Sequence, residues 1–306
     1  MTSHSRITTN IDEAVKVLLE GGVVGMPTET VYGLAALALN SQAVKRVFDI
    51  KNRPYRHPLI VHVANSEEAK KWGKFNDHAT QLSRAFWPGP LTLLLPRTSL
   101  VPDWITGGRD TVAIRVPSHP VTQELLTRVG HGVVAPSANK FGKVSPVLAA
   151  HVIHDLGNEV DLVLDGGECA VGVESTIVEC IGDAVQILRH GGITREQIEN
   201  ELQFTLSNAD GESRAPGMLQ SHYSPHAHVL LFETKQEAEQ ASTDFLETNH
   251  TSRVLSHEDP YVYAQRLYQD LRQADIDNID IICAVLPAIG GIGDAIRDRL
   301  RKAAAD

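Results

Sequence analysis

The alternation of apolar and polar residues along this chain is broken once, over residues 207–225, and that break constrains the fold more than any single motif. The interrupting stretch, SNADGESRAPGMLQSHYSP, is rich in Ser, Gly, Pro and Asn, which end regular elements rather than build them. Beyond it the pattern alternates strictly. Strands are predicted at 228–232, 253–255 and 279–284, separated and followed by helices at 235–246, 260–273 and 293–304. Such a β-α-β-α-β-α array predicts a small Rossmann-like three-layer α/β/α domain over 226–306. Before the break, apolar runs predict strands at 23–26, 59–63, 91–95, 111–116, 132–135, 161–164, 176–180 and 184–188. Amphipathic stretches predict helices at 11–20, 41–50 (with Ser41 as N-cap), 119–129, 146–156 and 194–202. Their order is too irregular for an all-parallel sheet, so residues 1–206 are expected to form an α/β domain around a twisted mixed sheet. A length of 306 residues agrees with two domains at roughly 150 residues each.

Charge and cysteine content exclude several function classes. The net charge is −10, and fourteen acidic against eight basic residues lie beyond Pro225, leaving −4 for residues 1–225. Neither part carries the basic field of a non-specific nucleic-acid binder, so an anionic ligand would need a local cluster of cations. No apolar stretch reaches the ~18 residues of a membrane span. The opening MTSHSR lacks the apolar core of a secretory signal. Cys169, Cys180 and Cys283 form no C-x-x-C pair, which argues against a zinc knuckle or a disulfide scaffold. A cytoplasmic protein is expected.

The motifs carry more. There is no G-x-x-x-x-G-K-[ST] loop, and no G-x-G-x-x-G follows a strand; Gly290-Gly291-Ile292-Gly293 reads as a strand-to-helix turn. The segment KNRPYRHPLIVHV (51–63) puts four basic side chains at a helix end, just before an apolar strand. Two readings stand. Cations complement a helix C-terminus, or, held around one space by two prolines, they meet a polyphosphate through charge and bidentate hydrogen bonds. PTETVYGL (27–34) reads as a strand followed by a tight turn with two hydroxyls. Arg115 stands inside the apolar strand TVAIRVP, and a buried arginine needs an anionic partner. Hydroxyls and an arginine recur at strand ends in APSAN (135–139), GVESTIV (172–178) and ILRHGGIT (187–194). His151, His154 and Asp155 read as a solvated helix flank. The His222, His226 and His228 spacing lacks a firm fourth metal ligand, and no protein metal site is expected.

Taken in this order, these segments, with FWPGPLTLLL (86–95), resemble the YrdC/Sua5 family of threonylcarbamoyl-AMP synthases over most of residues 11–200. APGMLQSHYSP (215–225) and GIGDAIRDRLRKAA (291–304) are similar to the longer, two-domain members. The family often has a basic residue before the linker histidine, where this chain has Gln220-Ser221.

The resemblance implies a YrdC-like catalytic domain over 1–206, a linker or lid over 207–225 and a Sua5-type domain over 226–306. It implies synthesis of L-threonylcarbamoyladenylate and pyrophosphate from L-threonine, bicarbonate and ATP, for the threonylcarbamoyladenosine (t6A) modification of tRNA at position 37. By motif, Thr30, His62, Arg115, Ala135 and Ser175 would hold threonine, with Arg115 on its carboxylate. Lys51, Arg53, His57, Thr111, Ser137, Ser145, Arg189 and His222 would hold ATP, and Lys51, Arg53, Ser137 and Asn139 form the catalytic set. No covalent nucleophile is implied; positioning and positive charge would carry the reaction. Mg²⁺ would accompany ATP, with few protein ligands. A downstream tRNA threonylcarbamoyl-transferase is the expected partner, and weak tRNA or RNA binding is compatible with it. The competing reading is a double-stranded RNA or tRNA-binding module of the same fold without synthase activity. Pro216, Met218, Tyr223 and Pro225 make the linker too rigid for a free tether, so it is expected to cross the ATP cleft and present His222 and Tyr223.

Overall fold

Runs of two to six mostly apolar residues become the strands, and the longest of them lie side by side toward one end of the larger sheet. The computed structural model describes residues 6–208 and 223–305. In chain order the first strands are β1 (Ile7–Thr8), β2 (Val24–Met26), β3 (Gly33–Leu37), β4 (Ile60–His62), β5 (Leu91–Pro96) and β6 (Thr111–Arg115). There follow β7 (Val133–Val134), β8 (Leu162–Leu164), β9 (Thr176–Ile181), β10 (Ala184–Arg189) and β11 (Ser207–Asn208). They join in the order β1-β8-β2-β3-β7-β4-β6-β5-β9-β10-β11. Parallel pairs such as β4 with β6 and β5 with β9 alternate with antiparallel ones such as β5 with β6 and β9 with β10. The sheet is therefore mixed, as expected. The flanking helices start on side-chain caps: Asn10 accepts from Asp12 and Glu13 N–H, and Thr194 forms a capping box with Gln197. The helix Ser41–Lys51 is capped by Asn40 rather than by Ser41.

Short elements absent from the sequence reading occur at Ile7–Thr8, Ser66–Ala69, Asp103–Thr106 and Ser207–Asn208, and two longer ones differ from it. The segment after Pro27 turns and returns as β3, antiparallel to β2, so the hydroxyls lie in a hairpin turn rather than at the end of one strand. A helix over Asp77–Phe86 was not expected, because its Gln, Ser and Arg positions dilute the apolar stripe that Ala79 and Leu82 bury.

The second domain holds β12 (His228–Phe232), β13 (Ser252–Leu255) and β14 (Ile281–Val285), all parallel, in the order β12-β14-β13. Alternation along β14 sorts its layers. Ile281 and Cys283 pack with Ala238 and Phe245 of the helix Lys235–Glu247. Ile282 and Ala284 join the cluster of Leu267, Leu271, Ile296 and Leu300 from helices Pro260–Ile276 and Gly293–Ala303. That cluster is continuous with the core of the first domain. These two helices thus belong to an apolar core shared by both domains. Polar contacts secure the seam: Arg272 meets Asp155 through Nη1 at 2.9 Å and Nη2 at 2.5 Å, and donates Nε to Ser145 O at 3.2 Å. All three cysteines are buried and free.

Candidate active site

Strand register assembles the site. His62 of β4 is the register partner of Arg115 of β6, and Arg115 in turn is the partner of Thr92 of β5. Residues directly opposite share a face, so one row carries an imidazole, a guanidinium and a hydroxyl. Ser175, one residue before β9, continues the row, with its Oγ 2.7 Å from Thr92 Oγ1. Arg189 closes β10 and donates Nε at 3.1 Å and Nη2 at 2.9 Å to Ser175 O. All five side chains are buried.

The turn between β2 and β3 supplies Thr30. Thr28 Oγ1 donates to Val31 O at 2.6 Å and accepts from Thr30 N and Val31 N, a hydroxyl-closed turn. Its single proton is thereby committed, so Thr30 Oγ1 donates to Thr28 Oγ1 at 2.9 Å and accepts from Arg115 Nη1 at 2.9 Å. Arg115 Nη2 lies 2.8 Å from Glu29 Oε1, a buried ion pair. Burial pushes the Glu29 carboxyl up, but the Arg115 charge and hydrogen bonds outweigh it and hold the group below its ordinary value. Arg115 Nε has no hydrogen-bond partner.

His62 is neutral. Its Nδ1 lies 3.2 Å from Ile60 O, a pure acceptor, so Nδ1 carries the proton and Nε2 is left as an acceptor. Burial, then the charge of Arg115, draws its pKa down to about 3. So weak a base accepts hydrogen bonds without taking a proton at neutral pH.

Thr30, His62, Arg115, Ser175 and Arg189 line a cavity of about 60 Å³, to which Arg53, Ser137, Glu174 and Tyr223 also contribute. Arg53 donates Nη2 to Pro58 O at 3.0 Å, packs over the Phe141 ring and leaves Nε without a hydrogen bond. Burial, offset in part by Tyr223, lowers its pKa to about 10, so it is charged at neutral pH. The segment 135–139 forms one wall and is stitched to β3 by Leu34 N to Pro136 O at 2.6 Å and Ala138 N to Tyr32 O at 2.8 Å. Glycine is required at 33, because a Cβ there would stand 2.9 Å from Ala135 Cβ.

The residues named from sequence fall into three groups. Thr30, His62, Arg115, Ala135 and Ser175, assigned to threonine, all line the cavity, as do Arg53, Ser137 and Arg189 of the ATP set. Lys51, Asn139, Ser145, His57 and Thr111 are not among its lining residues. Lys51 is buried beneath the 135–139 segment, donating Nζ at 2.5 Å to both Ser137 O and Asn139 O. Burial and the neighbouring Arg53 charge pull its pKa well down. Asn139 folds back on Lys140 O at 2.8 Å and Lys143 O at 2.7 Å. Ser145 Oγ donates to Glu174 Oε1 at 2.7 Å. His57 edges onto the Phe141 ring, and Thr111 opens β6 at the end opposite Arg115. His222 and most of the linker, 209–222, lie outside the described residues.

Sequence reasoning gave no role to Glu29, Thr92, Glu174, Tyr268 or Arg299. Glu29 and Glu174 had one available signal: each is a carboxylate inside an otherwise apolar or hydroxyl-bearing run. Arg299 had none, since DAIRDRLRKAA reads as an ordinary charged helix face.

A mixed α/β sheet that gathers two buried arginines and a neutral histidine at its strand ends, with a third buried arginine from the loop after the helix Ser41–Lys51, around a small cavity, defines a protein built to hold anionic groups. Residues 16–191 match a family model described as "Telomere recombination", that of Sua5, YciO and YrdC, and residues 193–305 match "Threonylcarbamoyl-AMP synthase, C-terminal domain". The chain is 39% identical to a threonylcarbamoyl-AMP synthase of Bacillus subtilis, over 96% of this chain and 92% of the relative. It is 38% identical to one of Pyrococcus abyssi, over 95% and 92%. The crystal structure of P. abyssi Sua5 complexed with L-threonine superposes with a TM-score of 0.91 at 37% identity, covering 96% of this chain and 94% of that one. The chain belongs to the YrdC/Sua5 threonylcarbamoyl-AMP synthase family. Among the described residues, no helix is long and apolar enough to cross a membrane.

Proposed function

We propose that this protein condenses L-threonine, bicarbonate and ATP into L-threonylcarbamoyladenylate, releasing pyrophosphate, as the first step of t6A formation at position 37 of tRNA. The threonine nitrogen adds to the bicarbonate carbon and water leaves, giving a carbamate. A carbamate oxygen then attacks the α-phosphorus of ATP, and the bond to the β,γ-pyrophosphate breaks. One observation carries the reading: Arg115, buried beside Thr30 and His62, keeps Nε unbonded at the cavity. A threonine carboxylate there would complete its donors, with Glu29 already offsetting one positive charge. His62 Nε2 would accept from the amino acid rather than deprotonate it.

Arg53 and Arg189 then stand where the phosphates would lie, and their charge would offset that developing on the α-phosphorus. Lys51 and Asn139 would act on ATP through the wall they fix, by holding Ser137 in place. A cavity of about 60 Å³ is far smaller than a nucleotide site of roughly 300 Å³ or more, so the Tyr223 ring would have to withdraw for ATP to enter. Mg²⁺ would arrive as the companion of ATP, on phosphate oxygens and water. Glu174, which lines the cavity, and Glu29, paired with its Arg115, are both engaged by arginines, so neither is offered to the ion. The reading carries a cytoplasmic location and a tRNA threonylcarbamoyl-transferase as consumer of the labile product.

The test is incubation with threonine, bicarbonate and MgATP, followed by mass spectrometry. The adenylate and pyrophosphate are expected only when all three are present; ADP and phosphate would overturn the mechanism. RNA binding without synthesis would instead leave no adenylate and give filter binding with a steep negative salt slope. Burial of the three arginines at one cavity weighs against that alternative.

A further inference from the structure

The cavity contains a carboxylate with no evident business near a polyphosphate. Glu174 lines it beside Ser175, and both its oxygens are engaged. Oε1 accepts from Ser145 Oγ at 2.7 Å. Oε2 accepts from Tyr268 OH at 2.7 Å and from Arg299 Nε at 2.8 Å. Tyr268 and Arg299 belong to the two helices of the second domain that join the shared core. The Arg299 side chain is wholly buried, and its Nη2 donates to His190 O at 3.0 Å, next to Arg189. Its guanidinium lies 5.1 Å from the centre of the Tyr223 ring, which stacks on Tyr268 at 5.5 Å.

We propose that Arg299 is a positioning residue of the active site: through Glu174 it neutralises the one carboxylate facing the phosphate end of the cavity and so lets an anionic nucleotide bind. The inference rests on the function proposed above. Without Arg299, the Glu174 charge would stand beside Arg189, compete with ATP for that arginine and repel the phosphates. Ser145, which hydrogen-bonds the same carboxylate, would lose its fixed orientation. The second domain is thus part of the catalytic unit, because its last helix supplies the counter-charge that this rim of the cavity requires. Glu174 is ionised in the native protein: burial raises its carboxyl, but the charges of Arg299 and Arg189 and the Ser145 bond bring it down to about 2.

The test uses the full-length protein and compares the parent with Arg299→Met, Arg299→Lys and the double variant Arg299→Met/Glu174→Gln. Threonine-dependent pyrophosphate release gives KM for ATP, KM for threonine and kcat; calorimetry gives ATP affinity, and thermal melts report folding. Arg299→Met is expected to raise KM for ATP about 10- to 100-fold, more than KM for threonine. Arg299→Lys should recover part of that loss. The double variant should recover most of it, because a neutral amide needs no cation. A KM for ATP within about twofold of the parent in Arg299→Met, or no recovery in the double variant, overturns the proposal. Should Arg299→Met fail to fold, the double variant replaces it: folding rescued by Glu174→Gln supports the charge pairing, and equal failure of both overturns it. A parent that makes no adenylate defeats the functional reading alone, since ATP affinities of the same proteins still decide the pairing.

Discussion

Two carboxylates serve the cavity, Glu174 by lining it and Glu29 by pairing with its Arg115, and they are kept in different conditions. Glu29 is ion-paired with Arg115 at 2.8 Å, and Arg115, which lines the cavity, keeps Nε without a hydrogen-bond partner. Glu174 accepts three hydrogen bonds from Ser145, Tyr268 and Arg299. Buried polar groups left incomplete in a native protein call for an explanation, and a ligand is the simplest one where the group faces a cavity. The Glu29 rim is therefore receptive, and it is built wholly from the first domain. The Glu174 rim is already satisfied, and two of its three donors come from the second. One rim waits for substrate; the other is held so that substrate is not repelled.

The largest effect that would break this contrast is Arg115→Ala. It removes the receptive group and strands Glu29, so threonine affinity should fall by about 2–5 kcal/mol, roughly 30-fold or more, with ATP affinity little changed. Calorimetry with each substrate separately checks it, and undiminished threonine binding would mean that the carboxylate is held elsewhere. Arg299→Met, the matching cut at the satisfied rim, should act on ATP instead and more weakly, by about 10- to 100-fold in KM. The two variants thus predict opposite substrate dependences. A smaller effect separates threonine from serine. Val31 and Ile60 line the cavity beside Thr30 and give a methyl group an apolar contact, so serine should be poorer by about tenfold in kcat/KM, the low end of what one such group contributes. Equal rates for the two amino acids would remove the fitted pocket from the account.

Much of the receptive rim was legible in the sequence, and almost none of the satisfied one. Arg115 within TVAIRVP is conspicuous because periodicity marks its strand as buried, so the need for an anion follows from desolvation alone. That Glu29 would meet it first does not follow, because a carboxylate beside two threonines reads equally well as turn chemistry. Lys51 shows the same limit. Its place in a basic cluster suggests phosphate, but its Nζ bonds two carbonyls 86 and 88 residues away, and no local pattern encodes that partner. Glu174 and Arg299 are 125 residues apart and in different domains. Amphipathic periodicity gave a helix over 293–304, observed over Gly293–Ala303, yet Arg299 reads there as one more charge among Asp298, Arg301 and Lys302. Periodicity reports which face is buried; it does not say which charge across the seam will share that burial. Of the segment expected as a lid, 207–225, residues 209–222 lie outside the described residues; Ser207–Asn208 form β11 and Tyr223 lines the cavity.

A last predicted effect concerns acid and touches stability rather than substrate, and it tests whether the receptive rim is as dry as its chemistry requires. His62 in the folded chain titrates near 3, drawn down by burial and then by the Arg115 charge, whereas an unfolded histidine titrates near 6.5. Between those values the unfolded chain carries a proton that the native chain excludes. The stabilising difference is therefore fully present above pH 6.5 and is lost as pH falls toward 3, at up to about 1.4 kcal/mol per pH unit. His151, brought down to about 4 by burial and by Arg272, contributes a second loss over much of the same window. Glu174 adds its own only from about 4.5 downward, toward its native value near 2. His62→Asn should accordingly lower the slope of unfolding free energy against pH between 6.5 and 4.5 by about 1.4 kcal/mol per unit, leaving the steeper acid limb below it. Urea midpoints measured at pH 7, 6 and 5 read the slope directly, whatever the variant does to absolute stability. An unchanged slope would mean that the imidazole already accepts a proton in the native state, which a wet cavity would allow and a rim reserved for a labile carbamate would not.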